Sequence, residues 1–91
     1  MKSEITIEYK SGERVTYVAY PPDYAKWERE TGKSVREWSE TAGMWDILFL
    51  AYSALKRESA GKPVKSFEIW MESVIDVDVE SGDPKATPTE A

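Results

Sequence analysis

The 91-residue chain contains no cysteine and no histidine. The first absence removes disulfide frameworks and thiol chemistry. The second removes the commonest catalytic base and metal ligand. No GxxxxGK[ST] or GxGxxG segment occurs, so the usual glycine-rich phosphate cradles are missing as well. The stretch Asp76-Val77-Asp78-Val79-Glu80 begins like an EF-hand calcium loop. Its sixth position is Ser81 where glycine is required, and its twelfth is Thr87 where glutamate is required. The longest apolar run, residues 44–55, falls short of the roughly 20 residues that span a bilayer. Met1-Lys2-Ser3-Glu4 carries no apolar segment of the signal-peptide kind. Basic residues are scattered and form no patch, which excludes the electrostatic footprint of a nucleic-acid binder. The acid pairs Glu28 with Glu30 and Asp76 with Asp78 read as solvated faces. The expectation is a cytoplasmic protein with no enzymatic activity, cofactor or metal, no nucleic-acid partner and no membrane partner.

What is present is a helix with an unusually wide apolar side. In MWDILFLAYSALKR, residues 44–57, Asp46, Ser53 and Arg57 fall on one side of a helix. Met44, Leu48, Ala51 and Leu55 face the opposite way, flanked by Trp45, Phe49 and Tyr52 on one hand and by Ile47 and Ala54 on the other. This arc covers roughly 220°, about twice the stripe of an ordinary surface helix. A single neighbour cannot cover it. The segment is either the central core helix of a small domain or a helix with one flank left for a partner.

The remaining pattern predicts an α+β fold in which an N-terminal β-hairpin packs on a small bundle of three to four helices. Residues 1–80 form the domain. Within the hairpin, residues 4–20, Ile5, Ile7 and Tyr9 alternate with polar neighbours, as do Val15, Tyr17 and Ala19. A three-residue loop, Lys10-Ser11-Gly12, pairs Ile7 with Val15 and Ile5 with Tyr17, and so puts both apolar rows on one face. A two-residue loop would mismatch the faces. Pro21-Pro22 ends the strand, and Asp23 is read as the cap of a helix at about 23–31 with Gly32 as its stop. Ser34 with Glu37 matches a capping box and opens a helix at 34–41. A break at Gly43 precedes the central helix, 44–59, which Gly61 and Pro63 end. Ser66 caps a last helix, 66–75, whose stripe is Phe67, Trp70, Met71, Val74 and Ile75. Residues 81–91 have no apolar side chain larger than alanine and two prolines, and read as a disordered acidic tail. The net charge is −5, of which residues 76–91 carry −4 through five carboxylates and Lys85, leaving a body close to neutral.

Four tryptophans, five tyrosines and two phenylalanines compete for this small interior. Aromatic side chains dominate cores, and they are also enriched at interfaces. Trp45, Phe49, Tyr52 and Trp70 are the candidate protein-binding residues, with simple core packing as the competing reading.

The segment WDILFLAYSALKRESAG, a short linker and then SFEIWMESVIDVDVE resembles the tail assembly chaperones of long-tailed bacteriophages, with the siphovirus type as the match. The shared features are a short helix like YAKWERETGKSV, an aromatic helix ending in Ala51-Tyr52-Ser53-Ala54-Leu55-Lys56-Arg57, a phenylalanine-led helix beginning Phe67-Glu68-Ile69-Trp70, and an acidic tail with proline. The resemblance covers roughly residues 22–80 and rests on helix composition. It implies a protein that binds the tape measure protein in the host cytoplasm, keeps it soluble during tail tube assembly and is absent from the mature virion. The tail tube protein is a second candidate partner, and self-association is left open. Many such chaperones also exist in a longer, frameshifted form. The alternative function is a small protein-interaction module, antitoxin-like or of the host-takeover kind, with a different partner.

Overall fold

The alternating apolar rows of the N-terminal segment build the expected hairpin. The computed structural model describes residues 2–81. Strand β1, Ser3–Tyr9, pairs antiparallel with β2, Arg14–Ala19, with Ile5 opposite Tyr17 and Ile7 opposite Val15. The loop is Lys10-Ser11-Gly12. The Tyr9 amide donates to the Glu13 carbonyl at 2.9 Å, and Gly12 adopts the left-handed φ of 96° that closes this turn. Ile5, Ile7, Tyr17 and Ala19 are buried, while Glu4, Thr6, Arg14 and Thr16 occupy the outer face.

Helix α1, Pro21–Thr31, begins two residues earlier than the sequence suggested. Proline lacks the amide that the first turn of a helix leaves unbonded, so Pro21 and Pro22 fit inside that turn. Asp23 is therefore not the cap residue. It sits in the first turn, and its carboxylate reaches back to the Tyr20 amide at 2.9 Å. Gly32 stops the helix with φ 75°, as expected. The segment after it divides into a single 3-10 turn, Val35–Glu37, and the short helix α2, Trp38–Thr41. The expected capping box does not form: Ser34 accepts from the Arg36 amide instead of that of Glu37, and Glu28 from α1 takes the Val35 amide at 2.7 Å. Helix α3, Met44–Glu58, starts at Gly43 and is the longest element.

The polar side of α3 is a buried seam. Asp46 accepts from the Gly43 amide at 2.7 Å, capping its own helix, and from the Trp27 indole of α1 at 2.7 Å. Ser53 donates to the fully buried Asp23 at 2.6 Å. Arg57 forms an ion pair with the same carboxylate, donates to the Val18 carbonyl at 3.0 Å and stacks over the Tyr20 ring. Burial alone would raise the Asp46 pKa. The Gly43 amide, the Trp27 indole and the Lys33 ammonium outweigh it, so the carboxyl lies below the ordinary carboxylate value. Its contribution to stability is in place above the unfolded-state pKa and is lost as pH falls toward the folded-state value. Next to this seam Leu48, Leu50, Ala51 and Ala54 are buried, whereas Leu55 is half-buried and Met44 is exposed.

The last expected helix is overturned in its second half. Helix α4 spans only Phe67–Met71, with Ser66 accepting from the Ile69 amide at its start. Strand β3, Val74–Ser81, follows and pairs antiparallel with β1, giving the sheet order β2-β1-β3. Val74 and Ile75 fit a helical stripe, but they also open the run Val-Ile-Asp-Val-Asp-Val-Glu, which alternates with period two. Their branched Cβ atoms favour strand, and the unpaired edge of β1 supplies a full ladder of partners. Ser73 makes the turn between the two elements, donating to the Trp70 carbonyl at 2.6 Å and accepting from the Lys10 amide at 2.8 Å. A bulge opposite Glu8 and Tyr9 absorbs Ile75. The fold is α+β, as expected, but with three strands. The tail expected at 81–91 lies, past Ser81, outside the described residues.

The ladder has a definite polarity. The Tyr9 amide bonds toward β2 and the Lys10 amide toward the β3 side, so even-numbered β1 residues face β3. Their partners Asp76, Asp78 and Glu80 take the ladder bonds, and the backbone groups of Val77 and Val79 point off the sheet. Hydrogen exchange should alternate along β3, slow at Asp78 and fast at Val77 and Val79. Equal protection of all three amides would contradict this register.

Candidate functional site

Two helices bring the four candidate residues together. On α3, Trp45, Phe49 and Tyr52 recur at helical spacing on one flank, and α4 lays Phe67 and Trp70 against them. The Trp45 and Phe49 rings stack at 5.2 Å. Phe67 stands edge-on to both, at 5.6 and 6.0 Å. On its other side Phe67 lies near Tyr52 at 5.3 Å and nearly parallel to Trp70 at 6.2 Å. Tyr52 and Trp70 complete the group at 5.5 Å. Phe67 is the joint of this cluster, a role the sequence reading did not assign to it. Its spacing of three residues from Trp70 was the available signal.

The cluster has a buried end and an open end. Trp70 and Tyr52 belong to the core. The Trp70 indole donates to the Tyr9 hydroxyl at 2.9 Å, which in turn meets the Tyr17 hydroxyl at 2.6 Å, and the Tyr52 hydroxyl donates to the Lys65 carbonyl. Burial, followed by the Tyr9 bond, pushes the Tyr17 phenol well above its ordinary pKa, so that hydroxyl stays neutral. Phe49 is half-buried, and Trp45 remains 43% exposed. Met44 on α3 and Ile69 on α4 are also exposed, at 60% and 59%. A small cleft of about 110 Å³ lies beside Phe49 and Tyr52, edged by the lysines Lys26 and Lys56, and Lys56 sits 5.7 Å from the Tyr52 ring.

The buried carboxylates of the domain lie outside this aromatic cluster. The two buried carboxylates are committed to helix caps, an indole, a hydroxyl and a guanidinium. Among the described residues no group of acids is placed to hold a metal ion, and no helix is long and apolar enough to cross a membrane. The open end offers flat aromatic surface whose geometry is fixed from behind by Phe67 and the Trp70 hydrogen bond. Rigid aromatic anchors of this kind carry much of the energy of protein interfaces.

The two ends of the cluster should respond differently to truncation. Trp70→Ala should cost roughly 3–5 kcal/mol in chemical denaturation, as for a buried aromatic. Trp45→Ala should cost less than about 1 kcal/mol, near the range of surface substitutions. Equal costs would mean that Trp45 is core and that the open end is not available for contact. Comparison of the chain with protein-family models, curated proteins and solved structures finds no match.

Proposed function

We propose that this protein is a non-enzymatic binding protein of the tail assembly chaperone type, which holds a phage tape measure protein soluble in the host cytoplasm while the tail tube assembles. The observation that carries this reading is the half-open aromatic cluster: Trp45 and Phe49 stacked on α3 and braced by Phe67, with Trp45 43% exposed. The likeness of residues 22–80 to such chaperones supports the choice of client. A chaperone for a long helical client needs an apolar strip that an amphipathic helix can lie on, and contacts weak enough to be released. The stacked pair presents two rings along one helix flank. Tyr52 and Trp70 contribute by packing on Phe67, which braces that pair, and in the proposed contact Trp45 and Phe49 meet the client together with Ile69 of α4.

The test is co-expression with a fragment of the tape measure protein. The wild-type chain should keep the fragment in the soluble fraction and co-purify with it. Trp45→Asp and Ile69→Asp should each abolish that rescue, because an unpaired charge in a desolvated apolar contact costs several kcal/mol. Both variants should keep the wild-type circular dichroism and melting transition, since neither side chain is in the core. Folded variants that still rescue the client would place the contact elsewhere. Failure of the wild-type chain to rescue or co-purify would overturn the chaperone reading and favour an interaction module with a different partner.

A further inference from the structure

The outer edge of β3 is built differently from the rest of the sheet. β3 is the terminal strand in the order β2-β1-β3, and among the described residues no strand lies beyond it. The ladder polarity leaves the backbone donors and acceptors of Val77 and Val79 pointing off that edge. The Val77 amide meets only the carboxylate of the preceding residue, Asp76, at 2.9 Å. On the helix-covered face the strand is incompletely covered. Ile75 is 57% and Val79 39% exposed, and a cleft of about 250 Å³ lies between Met44 and Leu48 of α3, Met71 of α4 and residues Val74 to Val77. On the other face Asp76 stands opposite Glu8 and Glu80 opposite Glu4, with Asp78 between them. Directly opposed like charges destabilise a ladder. Arg14, bonded to Glu8 at 3.1 Å, is the one ion pair made to these acids among the described residues.

We propose that this edge is a docking site for an extended segment of a partner protein in which lysine or arginine alternates with large aliphatic residues. Such a segment adds as a fourth strand. Its main chain pairs with Val77 and Val79. Its aliphatic side chains enter the cleft at Met44, Leu48 and Met71, and its cations lie over Asp76, Asp78 and Glu80. Strand addition takes affinity from the main-chain bonds and specificity from the alternating side chains. Here the carboxylates set the sign of the partner. They also disfavour a second copy of this chain, because antiparallel β3–β3 pairing about Asp78 sets Asp78 against Asp78 and Asp76 against Glu80. The inference does not rest on the chaperone reading, which concerns the Trp45 and Phe49 surface.

The experiment titrates the full-length protein with a synthetic peptide alternating lysine with valine and isoleucine, about seven residues long, enough to cover a strand. A glutamate-for-lysine version and a scrambled lysine peptide serve as controls. The lysine peptide should bind on the order of tenfold or more tighter than either control, more weakly as salt rises, and should slow exchange at the Val77 and Val79 amides. Val79→Pro should abolish binding without loss of fold, since that amide takes no part in the β1–β3 ladder and proline is tolerated on an edge. If Val79→Pro lowers stability, Asp78→Lys supplies the second test, and it should shift preference toward the glutamate peptide. Equal binding of all three peptides, or binding that leaves the Val77 and Val79 amides unchanged, would overturn the proposal. So would concentration-dependent dimerisation through β3, which would make a second copy the occupant.

Discussion

Asp23 and Asp46 each hold two helices at once. Asp23 closes the first turn of α1 on the Tyr20 amide while taking Ser53 and Arg57 of α3. Asp46 caps α3 on Gly43 while taking the Trp27 indole of α1. A buried carboxylate without partners would cost several kcal/mol, so each is tolerable only in the docked arrangement of the two helices. Arg57 extends the lock to the end of β2 through the Val18 carbonyl. No buried side-chain polar atom among the described residues is left without a partner. The seam therefore specifies the rotation of α3 as well as its position, a role for which non-directional apolar packing is less suited.

That rotation decides what happens to the wide apolar arc. With the polar stripe turned inward against α1, Leu50, Ala51 and Ala54 are buried, and the adjoining flank, Trp45 and Phe49, is left at the margin of the α1 contact, where Lys26 of α1 edges the cleft beside Phe49. The short helix α4 covers part of that flank through Phe67 and Trp70 and leaves Trp45 half in solvent. An apolar surface whose back is fixed by hydrogen bonds and ring packing has little conformational entropy left to lose on contact, which favours binding through few residues. The proposed chaperone activity depends on this fixed and incompletely covered flank.

The hairpin was legible because its two signals agree. The glycine in the left-handed loop position and the facing rows Ile5–Ile7 and Val15–Tyr17 select one register. Gly43 and Gly32 marked helix limits for equally local reasons. The polar side of α3 was visible as Asp46, Ser53 and Arg57, but its destination was not, since a polar stripe on a helix looks the same whether it meets water or a buried partner. β3 was missed because Val74 and Ile75 satisfy a helical and a strand period together, and only the free edge of β1 decides between them. The four aromatic candidates were brought together as their spacing suggested. Their division into a core pair, Tyr52 and Trp70, and an outer pair, Trp45 and Phe49, depends on where α4 ends, which no local pattern records.

A double-mutant cycle across the seam, Asp23→Ala with Ser53→Ala measured by chemical denaturation, tests most directly whether buried polar bonds orient α3. A hydrogen bond from a buried hydroxyl to a carboxylate should give a coupling of about 1–3 kcal/mol, because each single substitution strands the other group away from water. A coupling under roughly 0.3 kcal/mol, with the Ser53→Ala effect inside the ±0.5 kcal/mol of an ordinary surface change, would show that the polar stripe faces solvent and that the orientation of α3 has another origin.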